Sequence, residues 1–166
     1  VRGDQPNGKQ QAAALLKLFP ETNLTYYGYL YDYWNEDDRR YHLKALRAVG
    51  IPEWPFAFQG EKKDRLGHAE LQDLISGKTW TGRHKNGAAF VQYLDASSHT
   101  AYRSANTNIT GNAEIKDDHL CEKFDGYFMD RLTCGYVYRL TGRQDGAQYV
   151  HVTQQALKFF SVEKDK

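Results

Sequence analysis

Residues 77–94 read GKTWTGRHKNGAAFVQYL, and this stretch decides the fold. Alternating short runs flank Lys85-Asn86-Gly87, a turn signal of the kind that joins two antiparallel strands. One face of the second run carries Ala89, Val91 and Tyr93, and the alternation leaves open which face is inward. From Gly77 onward the same grammar recurs. Strands are predicted over 78–83, 88–94, 100–104, 108–115, 119–125, 132–140, 148–152 and 158–162. Asp95-Ala96-Ser97, Lys116-Asp117-Asp118, Gly126 and residues 143–146 separate them. About eight short strands at roughly 10-residue spacing, without βαβ alternation, predict a small antiparallel barrel or curled meander.

Upstream of Gly77 the period is helical. KQQAAALLKLF, residues 9–19, places Ala12, Leu15, Leu16 and Phe19 on one face and stops at Pro20. A second helix is predicted over 24–33, with Thr22 or Asn23 as its cap and Leu24, Tyr27, Leu30, Tyr31 and Trp34 on one stripe. A third runs from about 37 to 49. Its acidic first turn complements the helix dipole, and Gly50 and Pro52 end it. A short helix over 68–75 precedes the strands, and residues 1–8 read as irregular. The chain is thus expected to be α+β: a helical lead-in over 1–50, an aromatic and proline-rich linker over 51–65 that packs against the next domain, and an antiparallel β-barrel domain over 66–166.

Composition narrows the partners. A formal net charge of +1 gives no field for nucleic acid or for an anionic membrane. No apolar run approaches the roughly 20 residues of a membrane span. Twelve tyrosines and 14% aromatics suit half-buried pleated surfaces. Two cysteines exclude a disulfide framework. With a hairpin tip at 126–130 and residue 125 opposite 130, Cys121 and Cys134 fall in the same register and are expected to face each other across two strands. Free thiols are expected in a cytosolic protein, and a bond in a periplasmic one.

No catalytic signature is present. GxSxG, HExxH, CxxC and a P-loop are all missing, and Gly77-Lys78-Thr79 lacks the preceding glycine because position 72 is Gln72. His119 and Cys121 share a strand face, but a third metal ligand is not identifiable, so no metal or cofactor is expected. A polar and aromatic set remains that can line a barrel mouth: Trp80, Arg83, His84, Gln92, Tyr102, Arg103, Asn106, Tyr127 and Arg131. Trp80, Arg83, Tyr102, Arg103 and Tyr127 are the candidate ligand-binding residues. Arg103 is the candidate anchor for an anionic or carbonyl group, unless it pairs with Glu122. The dense aromatic content also fits a lumen filled by side chains.

Residues 18–53, LFPETNLTYYGYLYDYWNEDDRRYHLKALRAVGIPE, resemble the end of the tetratricopeptide-type helical array in alphaproteobacterial class III adenylate/guanylate cyclases. Residues 74–162 resemble the β-rich domain that comes after the array in some of them. The matching residues are 76–82 (SGKTWTG), 101–104 (AYRS), Leu120-Cys121, Cys134-Gly135 and 160–162 (FSV). The Gly-Lys-Thr-Trp start and the cysteine pair are also similar to small secreted β-proteins of calycin-like, lipocalin-like shape. The first resemblance implies a non-catalytic, cytoplasmic C-terminal regulatory module whose partners are the other cyclase domains and a small molecule in the barrel. None of the paired aspartates that bind two metal ions in that family's catalytic domain has a match here. The second implies an independent periplasmic binding or structural protein.

Overall fold

The structure, a computed structural model, describes residues 5–31, 34–127 and 130–163. The chain divides into two compact units, 1–59 and 60–166.

In the first unit, α1 (Gln5–Leu18), α2 (Leu24–Leu30) and α3 (Glu36–Ala48) surround a small core. Ala12, Leu24 and Ile51 are its buried residues, with Leu15, Leu16, Leu43, Leu46 and Val49 packed against them. α1 starts earlier than expected. Residues 5–8 are helical, because a proline in the first turn removes an N–H that would have no helical partner anyway. Phe19, expected on the buried face, lies beyond the end of α1 and is 52% exposed. The buried Asn23 caps α2 by accepting from Tyr26 N at 2.8 Å. Asn35 does the same for α3 from Asp38 N at 2.9 Å. The last residues of the expected 24–33 helix, 32 and 33, lie outside the described residues. Leu24 N donates to Pro52 O at 2.8 Å and Phe56 N to Pro20 O at 2.7 Å, so 51–58 belongs with this helical unit.

The second unit is a closed barrel of eight antiparallel strands. They are β1 (Lys78–His84), β2 (Ala89–Leu94), β3 (His99–Ser104), β4 (Thr107–Lys116), β5 (His119–Phe124), β6 (Thr133–Arg139), β7 (Tyr149–Thr153) and β8 (Leu157–Val162). The register makes Trp80, Phe90, Gln92, Leu94, Ala113, Leu120, Val137 and Phe160 buried, inward-facing residues. Ala89, Val91 and Tyr93 face outward and are exposed. α4 (His68–Ile75) lays Leu71, Leu74 and Ile75 onto the apolar part of this interior, together with Leu66. Gly67 N donates to Glu70 Oε2 at 3.0 Å and His68 N to Asp118 Oδ1 at 2.7 Å, which fixes the start of α4.

Closure depends on close strand approach. At Gly82 on β1, an added Cβ would stand 2.0 Å from the Phe159 carbonyl oxygen of β8. Gly135 on β6 is equally tight against the Val152 carbonyl of β7. Gly82→Ala should therefore force the β1–β8 seam apart and lower stability by about 1–3 kcal/mol. Urea unfolding of parent and variant measures this, and an unchanged midpoint would contradict the packing described.

Candidate functional site

Alternation within each strand sends a second, polar group of side chains into the barrel. β2 supplies Gln92, β3 Thr100 and Tyr102, β5 Glu122, β7 His151, β8 Lys158 and β1 His84. Lys158 Nζ donates to Glu122 Oε2 at 2.6 Å and to Gln92 Oε1 at 3.2 Å. Gln92 Nε2 donates to Thr100 Oγ1 at 2.9 Å and also to Glu122 Oε1. Thr100 Oγ1 passes the chain on to the Tyr93 carbonyl at 3.1 Å. Glu122 is 3% exposed, Lys158 7% and Gln92 fully buried, so this is a charge pair held inside the protein. The Lys158 ammonium also lies 5.7 Å from the centre of the Tyr102 ring and 5.8 Å from that of Phe124.

Two histidines flank the pair. His151 is wholly buried; its Nδ1 stands 3.5 Å from Glu122 Oε2, and neither ring nitrogen has a hydrogen bond of good geometry. His84 Nε2 lies 2.6 Å from the Tyr102 hydroxyl. Burial first, then the Lys158 charge, push His84 down to about 4. His151 also falls to about 4, through burial, with Glu122 opposing the shift and Lys158 reinforcing it. For Glu122, burial works to raise the carboxyl pKa. Lys158, His151 and the bond from Gln92 outweigh it, and the net direction is down. Burial raises the Tyr102 hydroxyl above its ordinary range. At neutral pH the barrel interior therefore holds one compensated ion pair and two neutral imidazoles.

The candidate ligand-binding residues do not share one concavity. Trp80 is fully buried, stacked on Phe160 at 4.0 Å, and donates through Nε1 to Leu74 O at 3.1 Å, so it fills the core instead of edging a mouth. Arg83 is on the outer wall, bonded to the Gly87 carbonyl at 3.0 Å. Arg103 is also outward and exposed, cross-strand from Val91. Strand alternation separates both arginines from the lumen, and Glu122 bonds to Lys158 and Gln92, not to Arg103. Tyr127 sits exposed in the β5–β6 connection. Of the wider mouth-lining set, His84, Gln92 and Tyr102 come together inside. Sequence reasoning missed Lys158 and His151 as members of one cluster. The signal was a charged or titratable residue among the mostly apolar residues of two strands, Lys158 in LKFFSV and His151 in YVHVT.

Cys121 and Cys134 face each other as the hairpin geometry predicts, and they are bonded. Of the two expected states, free thiols or a bond, the structure holds the bond. The strands draw the two Cα atoms to 3.9 Å, closer than ordinary cross-strand neighbours. His119 is not paired with Cys121 in a metal set; it packs on Tyr136 at 4.0 Å, its Nδ1 beside the Asp117 carbonyl. No family model, no curated protein and no solved structure matches the chain.

The buried network has consequences for stability. Glu122→Gln strands the Lys158 charge and should cost about 3–5 kcal/mol, whereas the double replacement Glu122→Leu/Lys158→Met should be close to neutral. Arg103→Ala should stay within about 0.5 kcal/mol of the parent. Chemical unfolding of the three variants distinguishes an internal pair from a solvated one. The network also shapes the pH profile. His151 falls from an ordinary 6.5 to about 4 on folding, so the unfolded chain binds its proton first as pH drops. Stability is complete above about 6.5 and falls by up to about 1.4 kcal/mol per pH unit towards 4 from this residue alone. His151→Leu should flatten that slope in unfolding measured across the range, and an unchanged slope would show that His151 is not responsible.

Proposed function

We propose that the chain is a non-catalytic binding module, the C-terminal regulatory or ligand- and partner-binding part of a bacterial adenylate cyclase acting in cyclic AMP signalling. The observation that carries a binding role is the buried Gln92–Glu122–Lys158 network with His151 beside it. Well-packed apolar residues in place of such a pair are often equally stable or more so. A barrel built for stability alone has no need of these groups, and the wholly buried His151 imidazole adds a desolvation cost of its own. Eight-stranded barrels either fill with side chains or hold one small ligand. Here Trp80, Phe160 and their neighbours fill one part, and the second part is polar. The cyclase affiliation rests on the resemblance of residues 18–53 and 74–162. Under it, the partners are the other cyclase domains and a small molecule, in the cytoplasm.

The Cys121–Cys134 bond favours a second reading, an independent periplasmic calycin-like binding or structural protein, because such bonds persist in oxidising compartments. Among the described residues no helix is long and apolar enough to cross a membrane, which suits either reading.

The pure chain with ATP or GTP and magnesium or manganese should form no cyclic nucleotide above blank, and turnover would overturn the non-catalytic reading. Thermal unfolding against a metabolite library should reveal at least one compound that raises the midpoint, since a ligand at 100 times its Kd adds about 2.7 kcal/mol. That shift should vanish in the Glu122→Leu/Lys158→Met variant. Thiol counting on protein from its native compartment separates the two readings. Two free groups support the cytoplasmic module, and none supports the periplasmic protein.

A further inference from the structure

The seams of the barrel are unequal. β4 and β5 pair over six residue positions, β6 and β7 over five, and β7 and β8 over four. β5 and β6 pair over three: Leu120 with Gly135, Cys121 with Cys134, and Glu122 with Thr133. Among the described residues this is the shortest ladder in the closed sheet. The disulfide occupies its middle position. On either side of Cys121 in the chain, Leu120 and Glu122 point inward, one into the apolar core and one into the ion pair.

Each strand of this seam is anchored on its other side. β5 is tied to β4 by the longer ladder, and through Glu122 to Gln92 of β2 and Lys158 of β8. β6 is tied to β7, and Leu66 N donates to Val137 O at 2.9 Å. Separation of β5 from β6 therefore breaks few backbone hydrogen bonds and leaves both flanks in place. Local openings of this kind occur in the segment with least to lose.

We infer that the Cys121–Cys134 disulfide is a redox latch on the barrel's shortest strand ladder, whose release opens the wall beside the buried Glu122–Lys158 network. The chemistry is dithiol–disulfide exchange. Cys121 is fully buried and Cys134 is partly exposed, so the attack falls on Cys134. A reductant thiolate bonds to Cys134 Sγ, and Cys121 leaves as a thiolate and takes a proton. The second thiol of the reductant then attacks its own sulfur in the mixed disulfide and expels the Cys134 thiolate, which is also protonated. Two electrons pass to the protein, and the reductant leaves as its own disulfide. The bond closes a loop of sequence separation 13, so its loss restores chain entropy to that segment. The opening gives water and small solutes a path to Glu122. The latch rests on the binding reading only for its consequence, regulated access to the interior, and not for the opening itself.

Hydrogen exchange measured by mass spectrometry on the full chain tests it, with and without dithiothreitol, alongside the Cys121→Ala/Cys134→Ala variant. Reduction and the variant should each accelerate exchange in 119–124 and 133–135 by about tenfold or more. Residues 78–84, 89–94 and 99–104 should keep their protection. Uniform acceleration through all eight strands would make the disulfide a staple of global stability and overturn the latch. Unchanged exchange at the seam would overturn it too. A metabolite screen without hits would remove the binding reading and leave this result untouched, so the two failures are separable.

Discussion

β1 and β8 are the ends of the barrel sequence, and they pair over five positions from Trp80 with Val162 to His84 with Lys158. Without that ladder the sheet would have two open edges and a half-exposed inner face. With it, every inward residue must be packed or hydrogen-bonded by other inward residues. Gly82 is where the constraint is most visible, because the β8 backbone approaches β1 closely enough to leave no room for a Cβ. The same ladder sets Lys158 beside His84 and Phe160 beside Gly82, so closure also decides which strands contribute to the interior.

Once closed, the interior divides. Trp80, Phe160, Leu94, Leu120 and Val137 form an apolar part that α4 covers with Leu71, Leu74 and Ile75. The Glu122–Lys158 pair occupies another part, where desolvation is severe and is offset by a short ion pair and the Gln92 amide. Gln92 serves both charges: its amide nitrogen donates to the carboxylate and its oxygen accepts from the ammonium. Such a network holds as a whole or fails as a whole, because removal of one member leaves the rest buried and unsatisfied. His151 completes the electrostatics by remaining neutral, since a second cation beside Lys158 would upset the compensation. The disulfide on the outer side of β5 fixes the strand that carries Glu122 at the place where backbone pairing is thinnest.

The first unit is held together differently. Its three helices are short, and short helices are marginal on propensity alone. Side-chain caps from Asn23 and Asn35 satisfy backbone donors that would otherwise have no partner. Ile51, beyond the last helix, completes the core with Ala12 and Leu24. The boundary between the units falls at 59/60, inside the segment whose prolines and aromatics read as a linker. Residues 51–58 fold with the helices, and Arg65 bridges to Tyr138 of β6.

Local chemistry was legible in the sequence because it is written in neighbouring residues. The strand period of two, the turn residues between strands, the α4 pattern and the facing of Cys121 and Cys134 depend only on spacing along the chain. The α+β order and the antiparallel barrel are consequences of these. The site was legible only in fragments. His84, Gln92 and Tyr102 stood out as polar residues among apolar ones, but nothing local said that they face the same space as Lys158, 66 residues from Gln92. Alternation gives two faces without saying which is inside, and so Arg83 and Arg103 read as well as His84 and Tyr102 did. Only closure resolves this, because the sign of every strand's alternation is set by its pairing to the next and finally by β8 returning to β1. The tertiary structure therefore decided which charges are buried and which partners they hold, and the sequence by itself determined the strands on which they are carried.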